Sequence, residues 1–169
     1  MKHTISKELI HFIDSSPSCF HAVKFMKDLL LQEHFIQLRE NTKWHIQRGG
    51  RYFVVRNGSA IIAFTVPQQD FTGMRIMASH SDSPSFKIKE NPELEAENHY
   101  IRLNVEGYGG MLCAPWFDRP LSIAGRVIIK NNETGNLESR LVDVDRDLVM
   151  IPSLAIHLNR EANKGYSYN

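Results

Sequence analysis

Gly49-Gly50-Arg51-Tyr52-Phe53-Val54-Val55-Arg56-Asn57-Gly58-Ser59-Ala60-Ile61-Ile62-Ala63-Phe64-Thr65-Val66 is the stretch from which the fold is read. Two runs rich in β-branched and aromatic residues flank Asn57-Gly58, a pair that tolerates the positive φ angles of a tight type I′ turn. The pattern predicts a β-hairpin. A further apolar run, Met74 to Ser79, follows the Gln68-Gln69-Asp70 loop and predicts a third strand.

Upstream, the spacing changes from two to that of a helix. Ile5, Leu9, Phe12 and Ile13 recur on one face before Pro17 punctuates the segment; Ala22, Met26, Leu29 and Leu30 continue a second stripe to about Glu33. Ser18 is placed to cap the second helix through its hydroxyl. Downstream, the polar run Lys87 to His99, with Glu90, Glu93, Glu95 and Glu97, marks a boundary. Strands are expected at Tyr100 to Val105, Ile123 to Lys130 and Leu137 to Val144, with Asn131 to Gly135 as a turn. Gly165 to Asn169 completes no visible element. The expected class is α/β: two helices and the opening strands of a mixed sheet in residues 1–89, then a β-rich unit in residues 90–169.

At 169 residues and 42% hydrophobic composition the chain is expected to bury a real core. Twenty basic against nineteen acidic side chains leave a formal charge of +1, which demotes nucleic acid and anionic membranes as partners. Cys19 and Cys113 form neither a disulfide framework nor a CxxC motif. The charged N-terminus lacks the apolar centre of a secretion signal, and no segment is apolar enough to span a bilayer, so a cytoplasmic location is expected. Asn57-Gly58-Ser59 and Asn132-Glu133-Thr134 match the glycosylation sequon but are read as turns.

The chemistry concentrates in Ala78-Ser79-His80-Ser81-Asp82-Ser83-Pro84. A loop after an apolar strand is where α/β sheets place ligands, and residues two apart share a face when extended. His80 could then bind a metal while Asp82 orients its ring. An ordinary hydrogen-bonded loop would have the same sequence, and one histidine cannot hold zinc, which takes about four ligands. Gly107-Tyr108-Gly109-Gly110 lacks the lysine and helix of a phosphate loop and reads as a turn. His157, in Leu154 to Leu158, is either a packed or a substrate-facing histidine. Neither a Gly-x-Ser-x-Gly elbow nor a His-Glu-x-x-His helix occurs in the sequence.

Taken in order, six short motifs resemble the M18 metalloaminopeptidases, the aspartyl aminopeptidase family. They are Ser16 to Val23, Gly49 to Ser59, Ser79 to Pro84, Tyr108-Gly109-Gly110 with Trp116-Phe117-Asp118-Arg119-Pro120-Leu121, Ala124 to Val127, and Ile151 to Arg160. The resemblance covers nearly the whole chain. It implies a peptidase with two neighbouring Zn2+ ions that removes N-terminal residues, often acidic ones, from peptide substrates. By the same resemblance His80 is a zinc ligand, Asp82 its supporting carboxylate, and His157 the histidine that an inserted dimerisation domain extends into a neighbouring subunit's active site.

Residues 1–89 would then open the peptidase domain, and residues 90–169 would be part of the inserted domain, through which subunits associate. Family chains run beyond twice this length, with the bridging aspartate, the catalytic glutamate and the later ligands after the insertion. None of those motifs occurs in these residues. The chain alone is therefore expected not to assemble the two-metal site, and a truncated, non-catalytic chain associating with full-length subunits is the alternative. Ser81 stands where a threonine is usual, Pro120 where an acidic residue is frequent, and Gly107 where a β-branched one is.

Overall fold

Tyr52, Phe53 and Val54 are 3%, 0% and 8% exposed in the computed structural model, which describes residues 2–164. Three consecutive buried positions mean that their strand is covered on both faces, and the elements around it explain how. Helices α1 (Lys2–Asp14) and α2 (Cys19–Gln32) precede strands β1 (Ile36–Leu38), β2 (Arg51–Arg56) and β3 (Ala60–Thr65). The sheet order is β1-β2-β3, with β1 parallel and β3 antiparallel to β2, so β2 is central and the sheet is mixed.

The predicted hairpin is present. Arg56 pairs with Ala60, the Ser59 amide donates to the Arg56 carbonyl at 3.1 Å, and Asn57 and Gly58 take φ of 52° and 67°. Gly50 is required by close approach: a Cβ there would lie 2.3 Å from the Tyr52 hydroxyl, which itself accepts from the Gln47 amide at 2.9 Å. Ala22 and Val23 of α2 are buried, and α2 packs on β2 and β3 and on a later strand, β6 (Ala124–Lys130). Phe12 of α1 meets Phe25 of α2 edge to face, with ring centroids 5.4 Å apart.

Ser18 does precede α2 with extended backbone angles, but its hydroxyl does not cap the helix amides. It shares a 2.8 Å hydrogen bond with Nδ1 of His21, a nearer competing partner.

The expected strand at Met74 to Ser79 is not formed: no ladder partner reaches this segment among the described residues, and Met74, Ile76 and Met77 are 79%, 84% and 97% exposed. An apolar run records a tendency to be covered. A strand also needs a neighbour's amides and carbonyls, and these are not supplied here.

The polar run read as a boundary is part of a long ribbon instead. Strand β4 (Ser85–Ala96) pairs antiparallel with β5 (Tyr100–Tyr108). The register shifts between Ile88 and Glu93, which accommodates Pro92 where no ladder amide is needed. Glu97 and Asn98 turn the ribbon with φ of 52° and 55°. Strands β6 and β7 (Leu137–Asp143) form a further hairpin whose loop is held by Asn131, its side-chain oxygen accepting from the Glu133 and Thr134 amides.

The chain packs as two compact units: Met1–Asp82 with Ala124–Val144, and Ser83–Ile123 with Asp145–Asn169. Residue 90, the expected boundary, lies within β4 of the second unit. The expected core is small. Among the described residues five hydrophobic side chains are buried: Ala22, Val23, Tyr52, Phe53 and Val54. No described helix is long and apolar enough to cross a membrane. Gly165 to Asn169, read from the sequence as completing no element, lies outside the described residues.

Candidate functional site

His80 and Asp82 sit in the irregular segment that ends the first stretch of the first unit, tethered to the hairpin by a 3.2 Å hydrogen bond from the Ser81 hydroxyl to the Ser59 carbonyl. Nδ1 of His80 lies 2.8 Å from the Asp82 carbonyl oxygen and 3.2 Å from its carboxylate. Neither oxygen can donate, so Nδ1 carries the hydrogen, and in the neutral ring Nε2 holds the free lone pair. The side chain is 81% exposed. A histidine with one nitrogen tied to a carboxylate and the other presented to solvent has the arrangement of a metal ligand with its outer partner.

The structure thus joins two of the three predicted site residues, His80 and Asp82. It does not supply a ligand set: among the described residues no group of three or more His, Cys, Asp or Glu could hold a metal ion. Zinc would take its further ligands from elsewhere, and the single imidazole fits one corner of such a site.

His157 belongs to the second unit. It lies on an exposed turn closed by hydrogen bonds from the Leu158 and Asn159 amides to the Ala155 carbonyl, at 2.8 and 3.1 Å. Just before that turn, the chain is fastened to Asp118. The Asp118 amide donates to the Ile151 carbonyl at 3.0 Å, and its carboxylate accepts from the Ser153 amide at 2.9 Å and from the Ser153 hydroxyl. These two bonds hold the Asp118 carboxyl below its usual pKa, the hydroxyl contributing more than the amide. Asp118 has a φ of 54°, a conformation that aspartate tolerates better than most residues. Phe117 bridges to Ile151, and Trp116 meets Phe86 edge to face at 5.4 Å. The sequence reading included Asp118 in a motif but gave it no role. Its partner is thirty-five residues away, a pairing that no local pattern announces.

A profile of the Peptidase M18 family, described as aminopeptidase I zinc metalloprotease (M18), matches residues 12–169. The "Probable M18 family aminopeptidase 2" of Clostridium acetobutylicum is 47% identical over 166 residues, which is 97% of this chain and 38% of that protein. Among solved structures, Chaetomium thermophilum mApe1 superposes with a TM-score of 0.86 at 36% identity, over 92% of this chain and 36% of that one. The S. cerevisiae mApe1 dodecamer gives 0.79 at 32% identity, over 90% and 36%. The chain belongs to the M18 aminopeptidase family and spans about two fifths of the length of the curated relatives it matches.

Proposed function

We propose that the complete protein is a zinc-dependent aminopeptidase that removes N-terminal residues, acidic ones included, from peptides and assembles through its second unit. The observation that carries this reading is the His80 ring, fixed through Nδ1–H to Asp82 with Nε2 presented on an exposed loop. His80 would hold the metal through Nε2. Asp82 fixes the tautomer and the orientation of the ring. The remaining ligands come from polypeptide beyond these residues. Bound zinc supplies Lewis-acid polarisation of the scissile carbonyl.

His157, extended from the second unit into the active site of a neighbouring subunit, donates a hydrogen bond to the oxygen that gains charge in the transition state. Its exposure, its position on a turn and the dodecameric state of the S. cerevisiae relative support that role. Association is assigned to the second unit, Ser83–Ile123 with Asp145–Asn169, and the opening of the peptidase domain to the first.

The test is hydrolysis of aminoacyl substrates, Asp, Glu and Leu derivatives, by the complete gene product. Activity is expected to vanish with a chelator and return with zinc. Activity indifferent to chelation counts against the proposal. A catalytically silent product that co-elutes with active full-length subunits supports instead the alternative of an associating, non-catalytic chain.

A further inference from the structure

We infer that Asp118 is a positioning residue for His157, acting by pinning the start of the segment that carries it. This rests on the role proposed above for His157. Three connections converge on that segment within the second unit: the Asp118 amide to the Ile151 carbonyl, the Asp118 carboxylate to the Ser153 amide, and the same carboxylate to the Ser153 hydroxyl. The Phe117–Ile151 bridge lies beside them, and the Leu121–Val149 bridge continues the pairing one step further. Between Ser153 and the turn at Ala155 only Leu154 intervenes, so little slack separates the pinned residue from the imidazole.

The side chain of Asp118 suits this use. Among the described residues both of its carboxylate oxygens go to one residue, Ser153. His157, by contrast, makes no side-chain hydrogen bond or ion pair among the described residues. The backbone therefore sets where its imidazole is presented, and that backbone is held at Ser153. An oxyanion donor acts only when it is placed to within a fraction of an ångström, so loosening the anchor lowers turnover without touching substrate.

The test compares Asp118→Asn, Asp118→Ala, His157→Ala and the Asp118→Ala/His157→Ala double variant in the complete protein, each checked for assembly by sizing. His157→Ala is expected to lower kcat about 100-fold. Asp118→Ala is expected to lower it roughly 10-fold with KM little changed. Asp118→Asn, which keeps an acceptor and tolerates the left-handed backbone, should recover part of that loss.

In the double variant the Asp118 substitution should add nothing to the loss from His157→Ala. Equal losses in both backgrounds would show Asp118 acting through something other than His157 and overturn the inference. So would a normal kcat for Asp118→Ala beside an impaired His157→Ala, an outcome that leaves the role of His157 standing. Normal kcat and KM for His157→Ala would overturn the role of His157 and this inference with it. If Asp118→Ala does not assemble, Ser153→Ala and Asp118→Asn decide: a wild-type kcat in both rejects the inference, and a reduced kcat absent from the His157→Ala background sustains it.

Discussion

Two hairpins in this chain turn with the same backbone geometry and differ in almost everything else. Asn57-Gly58 joins β2 to β3 with two positive φ angles, and Glu97-Asn98 joins β4 to β5 with two as well. The first serves a strand whose side chains are covered on both faces. The second caps a two-stranded ribbon on which Tyr100 and Ile101 are 72% and 74% exposed. Turn geometry is therefore set locally, whereas burial is set by what packs on the strands. A two-stranded ribbon alone is marginal in water, so the β4–β5 hairpin is the element whose stability depends most on other polypeptide.

The contrast is broken most forcefully at its buried end. Phe53→Ala in the complete protein removes the most completely buried ring of the first hairpin, and should cost about 3–5 kcal/mol, read from the urea midpoint. The turns themselves give a smaller, mirrored effect. A Cβ at Gly58 meets Phe20 and Arg126 only at ordinary contact, 3.9 and 4.0 Å, so the cost of Gly58→Val is conformational. That substitution should destabilise by about 1–2 kcal/mol, and Glu97→Gly, which relieves the same conformation, should stabilise by up to about 1 kcal/mol. Opposite signs at the two turns would confirm that the geometry is shared. Like signs would show that it is not.

The smallest effect concerns pH. Glu40, held by Arg56, Asp118, held by Ser153, and Glu138, held by Asn131 and Arg140, all have carboxyl pKa values lowered in the folded chain. A lowered folded value stabilises fully above the unfolded carboxyl pKa of about 4 and is lost as pH falls through the folded value. Stability from these groups should be flat from pH 5 to 8, in round numbers, and decline below about pH 4. All three are solvent-exposed, so the decline should be shallow and weaker in high salt.

The first hairpin was legible because its evidence is local: two β-rich runs and a glycine at the bend. Only half of the second was: Tyr100 to Val105 was expected as a strand and lies within β5, whereas β4 was missed because Glu97-Asn98 has no glycine and Glu90, Glu93, Glu95 and Glu97 resemble a solvated connection. The alternation of Glu93 and Glu95 with Leu94 and Ala96 was the signal available there. Strand β1 is three residues long and exists only through parallel pairing with residues sixteen positions away, which no window detects. Met74 to Ser79 shows the converse, an apolar run without a ladder. At the site, the His80–Asp82 pairing was readable from spacing alone. The anchoring of Ser153 by Asp118 was not, since it depends on where two distant loops meet.

The most direct test of the account is the zinc content of the complete protein against that of its His80→Ala variant, both purified without added metal and measured by elemental analysis. The account predicts that the variant loses at least one equivalent of zinc per chain, along with chelator-sensitive aminopeptidase activity, while its assembly is unchanged. Undiminished zinc and activity in His80→Ala would contradict it.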